Sequence, residues 1–256
     1  MIQFYSEGFF GYGQPGDYVP YGLDFFIPIL LLIGLAVLIV LMRKKIRNLS
    51  REKTIRFVLA FLIIVVEMSY YWRVLYVGVE GRDETSLLTK LPMQVCEWGA
   101  ICAAFMLMSL SDTLFGINYF ITFVGAGIAI FVPQTVIESC GPTYYRYYQF
   151  WGEHALPILA TVYAIAVHKK KPRYRDLWVS YGLLCLLTVP ATFANMAFPE
   201  ANYLYLRLDI PFMPDSYPLR VVIYSVIILA LFHLLYAGWV LVSKLIMKRK
   251  TKAVEA

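Results

Sequence analysis

Phe25–Met42 reads FFIPILLLIGLAVLIVLM, eighteen residues without a single charge. A run of about 18 or more apolar residues is long enough to cross the ~30 Å hydrocarbon layer as a helix. No Lys or Arg precedes Arg43, so the stretch lacks the basic leader of a cleaved signal peptide and is expected to stay as a span. The 256-residue chain is 60% hydrophobic with a mean hydropathy of +0.63. Soluble domains run near half apolar, and an aqueous core cannot hide this much apolar surface.

Six further segments read the same way: Arg56–Val77, Gln94–Leu110, Ile117–Val132, His154–Val167, Leu177–Phe198 and Leu219–Leu245. The third, fourth and fifth are short for a span and are expected to extend into polar flanks or to be partly buried in protein. The alternation of a membrane β-barrel is absent. The fold class predicted is all-α, a polytopic membrane bundle of about seven transmembrane helices.

Charge orients it. Of 23 Lys and Arg, seven lie between Arg43 and Arg56, five between Lys169 and Arg175, and five between Lys244 and Lys252. Seven spans put all three clusters on one side, and Lys/Arg-rich loops mark the cytoplasm. The N-terminus is then outside and the C-terminus inside. The net charge of +6 reads as a topology signal with affinity for anionic lipid, and no nucleic-acid partner is expected. The expected division is an external interfacial segment 1–24, a transmembrane domain 25–246 and a basic tail 247–256. The long loops Gly78–Leu91, Pro133–Glu153 and Pro199–Pro218 fall outside.

Polar residues inside spans are costly in lipid and so mark packing or function. Cys185, Thr188, Thr192 and Asn195 share a face of the sixth span, as do Asn118, Thr122, Gly125 and Ala129 on the fourth. Glu67 falls near mid-bilayer and should face protein or water. Arg73, six residues on, does not pair with it along the helix; it is placed to snorkel or to bind a lipid phosphate, a role open to Arg146 as well.

At the outer end of the third span stands KLPMQVCEWGA, Lys90–Ala100. Cys96 there and His154 at the start of the fifth span fall at one depth, near the level of lipid ester bonds. A nucleophilic Cys needs a base, usually His. Glu97 and Glu153 adjoin the pair and are candidates to orient His154. Asn202 and Tyr203 are candidate oxyanion donors. Spacing alone leaves bland readings open: a packed thiol, a wet interfacial His, or a disulfide between Cys96 and Cys140. Cys102 and Cys185 read as packing residues. His154, His168 and His233 lie at different depths with no three- or four-residue spacing, so no metal is expected. No P-loop or dinucleotide-binding glycine motif is present, so no cofactor is expected. Between Leu219 and Ser243 the last span has no Lys, which a retinal protein needs.

The stretches LPMQVCEWGA, YRYYQFWGEHALPILATVYAI and ANYLYL together resemble the YwaF-type integral membrane proteins of bacteria, which in turn resemble a vertebrate family of polytopic membrane acyltransferases. The resemblance runs from the second span to the seventh. It implies Cys96 as nucleophile and His154 as base in fatty acyl transfer to a lysophospholipid, with Gln94, Glu97, Arg146, Asn202 and Tyr203 at positions of the family pattern. The 58-residue separation of Cys96 from His154 agrees with it. Gln94 and Arg146 stand where bacterial members commonly carry His, and Glu97 where they carry Asp. The implied partners are a phospholipid or lysophospholipid substrate and the bilayer. Two other classes compete: a transporter centred on Glu67 and the polar stripes, and a non-enzymatic sensor or scaffold.

Overall fold

The computed structural model describes residues 8–14, 16–77, 90–133, 139–207 and 213–254, with backbone alone for 249–254. Most of the expected Gly78–Leu91 loop, Arg82 included, lies outside the described residues. Seven helices follow in order: α1 Leu23–Arg47, α2 Glu52–Val77, α3 Val95–Ser109, α4 Asp112–Phe131, α5 Tyr145–His168, α6 Tyr174–Ala197 and α7 Tyr217–Val254. A 3-10 turn, Tyr203–Tyr205, lies between α6 and α7. Among the described residues there is no strand. All but α3 are long and apolar enough to cross a membrane. The protein is an all-helical, multi-pass membrane bundle.

α3 packs closely against α2, α4 and α5. Its small residues let the neighbours close in: Ala100, Ala103 and Ala104 are buried with Met106 and Leu107, against Phe115, Phe120 and Ile121 of α4. Small interface residues are the usual device where lipid removes the hydrophobic drive between helices. α4 and α6 meet at Gly116, where an added Cβ would stand 2.4 Å from the Asp176 side chain. α1 and α7 are the opposite case. They flank the bundle with apolar side chains such as Leu30, Leu31, Leu234 and Leu241 left exposed.

The basic end is tied together by polar bonds as well as by apolar packing. Arg47 of α1 donates to the Val167 and Ala166 carbonyls at the end of α5 (2.5 and 3.0 Å). Glu52 of α2 accepts from Arg56 (2.9 Å) and from the Tyr163 hydroxyl (2.8 Å), and the His168 ring meets it at 2.7 Å. Arg56 also reaches the Leu107 carbonyl of α3. Lys170 pairs with Asp112 at 2.5 Å. Left-handed residues close two helices there, Leu110 (φ 53) and Lys169 (φ 58). The first two basic clusters of the sequence thus gather at one end.

α3 is short, as the sequence reading has it: its 15 residues, about 22 Å at 1.5 Å per residue, are too few to cross the hydrocarbon alone, and much of the helix is buried in protein. α5 begins at Tyr145, nine residues before His154, so much of the expected external loop Pro133–Glu153 is helix. The reason is burial. Arg146, Gln149 and Glu153 are buried against protein, so their polarity hid the helix from a hydropathy reading. The α7 backbone also remains helical through the basic tail to Val254.

Removing one partner of a buried ion pair leaves the other charge stranded, at about 3–5 kcal/mol. Glu52→Ala is expected to lower detergent thermal stability by a few kcal/mol, near that range, read by a shift in melting temperature. Lys53→Ala, an exposed neighbour, is expected to leave it unchanged.

Candidate functional site

α3 starts inside the bundle, so its first amides must be met by protein. Trp98 donates the first intrahelical bond, to the Gln94 carbonyl (3.3 Å). Glu97 turns back and accepts from the Gln94 amide at 2.7 Å, half of a capping box. Its other oxygen accepts from Tyr71 of α2 at 2.8 Å. The Gln94 side chain is also a clamp: it donates to the Asn202 carbonyl (3.2 Å) and accepts from the Leu204 amide (2.9 Å).

That clamp holds the turn after α6. Leu204 and Tyr205 both take left-handed backbone, φ 57 and 53. Asn195 fixes the turn from below: it accepts from the Tyr203 amide (2.8 Å) and donates to the Tyr203 carbonyl (3.1 Å). Asn202 accepts from the Arg207 amide (2.8 Å), and the Tyr203 hydroxyl accepts from the Leu91 amide (2.8 Å). The turn folds back onto the mouth of α3 and places Tyr205 beside Gln94 and Cys96 on one cavity wall. Burial holds the Tyr205 phenol above its ordinary pKa, so it stays a protonated donor.

Cys96 is the second residue of α3. Its sulfur, a ring nitrogen of His154 and a carboxylate oxygen of Glu153 all lie within 4.8 Å of one another. His154 is fully buried. Its Nδ1 is 2.7 Å from the Phe150 carbonyl, one turn earlier on α5. A carbonyl only accepts, so Nδ1 carries the proton and Nε2 is left as the basic atom. Nε2 has no hydrogen-bond partner among the described residues. Glu153 is engaged elsewhere: Arg146 pairs with it at 3.2 Å, and Gln149 donates to it at 2.9 Å. Arg146 also donates to Gln149 and lies over the Tyr70 ring, 4.8 Å from its centroid. Glu67 is buried on α2 with its Oε2 unpartnered.

Height along the helices explains the meeting. Counted from the basic end at 1.5 Å per residue, Cys96 stands about 20 Å up α3, His154 about 21 Å up α5 and Glu67 about 22 Å up α2. The cysteine and histidine do share one depth, but they lie below the outer rim. His154 is roughly 13 Å below the outer end of α5, because that helix starts earlier than expected.

Other expected roles are redistributed. His154 is oriented by a backbone carbonyl, not by Glu97 or Glu153. Arg73 does not face lipid: it is buried and donates to the Phe10 and Gly11 carbonyls (2.9 and 2.8 Å), with its guanidinium over Tyr12. Cys96 and Cys140 are both free thiols, so the disulfide option fails; Cys140 is buried beside Gly13 of the N-terminal segment. Cys102 is buried as expected, whereas Cys185 is exposed along a lipid-side cavity. Searching histidine against histidine missed the Cys96, Glu153 and His154 donor set, whose members are metal-ligating types. Tyr205 was missed as well, since only the left-handed turn brings it to Cys96.

A family model described as the TMEM164 family matches residues 21–236. The chain belongs to the TMEM164 family. The match covers every helix that contributes to the Cys96–His154 cluster. No curated protein and no solved structure matches the chain. In this TMEM164-family chain the cluster is assembled from α3 and α5, while α6, its following turn and α7 wall the space beside it.

Losing two buried backbone partners costs about 1–3 kcal/mol. Asn195→Ala is therefore expected to speed amide exchange at Tyr203 by about tenfold or more, read by hydrogen–deuterium exchange mass spectrometry, with little change in α3.

Proposed function

We propose that the protein is a membrane-embedded acyltransferase or transacylase that carries a fatty acyl group on Cys96. The observation that carries this reading is the thiol within 4.8 Å of the His154 ring, together with the fixed tautomer and the free Nε2. A thiol nucleophile needs a base within reach, and resting geometry is often loose. The cavity that Cys96 borders has a volume of about 260 Å³ and is walled mainly by apolar side chains, which suits a lipid chain and excludes water.

The chemistry balances with these groups alone. His154 Nε2 takes the Cys96 proton. The thiolate attacks an ester carbonyl of a glycerolipid. The tetrahedral intermediate collapses to an acyl-cysteine as the lysolipid alkoxide leaves with the proton from His154. A lysolipid hydroxyl then gives its proton to Nε2 and attacks the thioester, and the thiolate leaves and regains that proton. The Val95 and Cys96 amides precede the first intrahelical bond of α3, and such helix starts favour a thiolate or an oxyanion. Tyr205 is a further donor on the same wall. The resemblance to polytopic membrane acyltransferases supports the same assignment.

Purified protein in phospholipid vesicles is expected to form a hydroxylamine-labile acyl adduct on the Cys96 peptide. Cys96→Ala is expected to abolish it. His154→Gln is expected to slow its formation by about 10²–10⁴-fold, the usual contribution of a general base. An adduct that survives Cys96→Ala, or a wild-type protein that never acquires one, would overturn the reading.

The donor set itself favours a second reading. A thiolate, an imidazole and a carboxylate so close together are a plausible three-ligand Zn²⁺ site. Against it, Glu153 already takes hydrogen bonds from Arg146 and Gln149. Elemental analysis separates the two: stoichiometric zinc that disappears in Cys96→Ala would select the metal site, and metal-free protein that still acylates would select the nucleophile.

A further inference from the structure

Two cavities lie behind α7. The larger, about 450 Å³, opens between α6 and α7 past Cys185, Val189 and Phe193. The smaller, about 260 Å³, lies between α4 and α7 and is the one that Cys96 borders. They share Val95, Leu184, Leu204, Tyr224 and Ile228, but Cys96 lines only the smaller.

The smaller cavity has an open side and a closed one. On the open side Ile128 of α4 and Val132, the residue that ends that helix, are exposed on the lipid-facing surface. On the closed side stand Val124, Leu184 and Phe232, all buried. Phe232 is completely shielded, and its ring lies 5.3 Å from that of Phe120 in the bundle core. Within the membrane, a slot with an apolar wall, a side open to lipid and a thiol on its edge suits one occupant, a hydrocarbon chain with its carbonyl at the sulfur. A water-soluble acyl carrier would need a polar approach, which the exposed apolar rim does not offer.

We infer that the α4–α7 cavity holds the fatty acyl chain that is transferred, and that Phe232, with Val124 beside it, forms the stop that sets the preferred chain length. The chain enters sideways from the bilayer past Ile128 and Val132. Its carbonyl rests at Cys96, and its methyl end meets Phe232. This rests on Cys96 acylation as proposed above. In an apolar pocket, one methylene that fits or fails to fit is worth about 10–200-fold in discrimination. A shorter side chain at the stop therefore admits longer chains, and a larger one at Val124 selects shorter chains.

The test uses the full-length protein in vesicles whose phosphatidylethanolamine and phosphatidylglycerol carry myristoyl, palmitoyl and stearoyl chains in equal amounts. Mass spectrometry of the Cys96 peptide reads which acyl groups it carries. Phe232→Leu is expected to raise the ratio of stearoyl to myristoyl adduct by about tenfold or more, and Val124→Phe to lower it by a similar factor. Cys185→Phe, confined to the larger cavity, is expected to leave the ratio unchanged. Because the first two variants push in opposite directions, general loosening of the protein cannot imitate both. An identical acyl profile in all four proteins, with Cys96 still acylated, overturns the chain stop and leaves acyl transfer standing. A ratio that follows Cys185→Phe instead moves the chain to the other cavity and overturns the assignment. No acyl group on Cys96 in the parent protein removes both readings together.

Discussion

A helix that starts within a membrane bundle must find partners for its own first amides, and α3 meets the first of them, that of Gln94, with the Glu97 carboxylate. That carboxylate accepts the Gln94 amide and the Tyr71 hydroxyl, which locks the start of α3 to α2. The rest of the site depends on it. Because α3 begins at that height, Cys96 lies inside the bundle and opposite His154, not at the rim. Because Gln94 caps α3, its side chain is placed to grip the turn after α6. Because the turn is gripped, Tyr205 joins the cavity wall. One buried acid thus positions groups from α2, α3 and the α6–α7 connection together.

The same region concentrates ionisable groups at a depth where they are expensive. Glu67, Glu97, Arg146, Glu153 and His154 are all buried. Most are partnered: Glu97 by a cap and a tyrosine, and Glu153 by Arg146 and Gln149. Bonds one or two turns apart on α5 hold this polar face, and α2 braces it through the Val66 carbonyl, which accepts from Gln149, and the Tyr70 ring under Arg146. The exceptions are the Glu67 Oε2 and the His154 Nε2. An unsatisfied buried polar atom costs about 1–3 kcal/mol, and native proteins tolerate it chiefly where a ligand or a reaction will use it. The Glu67 oxygen and the imidazole nitrogen are therefore the parts of the cluster that packing alone does not account for.

Hydropathy and charge made the helices legible, since lipid demands long apolar runs and the basic loops sort by side. They misjudged where α5 begins, because the polar residues of its first turns face protein and a linear average cannot tell a buried polar face from a loop. The cysteine–histidine pair was visible as two reactive residue types at similar depth. Its true height was not, because that depends on where α5 begins. Capping by Glu97 was readable in principle, being the carboxylate three residues after Gln94. Tyr205 was not readable, since its position depends on two consecutive left-handed residues with no glycine to announce them. Arg73 was misread because its acceptors are backbone carbonyls of a segment more than sixty residues away, and main-chain acceptors leave no trace in residue identity.

Crowding is very uneven across the molecule. A methyl group placed on Gly34 of α1, Gly182 of α6 or Gly238 of α7 would touch nothing, whereas one on Gly116 would run into Asp176 at 2.4 Å. Lipid conforms to whatever shape a flank presents, while the interior helices conform only to one another. Sequence drift should therefore collect along the outer helices as exchanges among apolar residues, and it should stall at the α4–α6 crossing, where glycine and aspartate must change together or not at all.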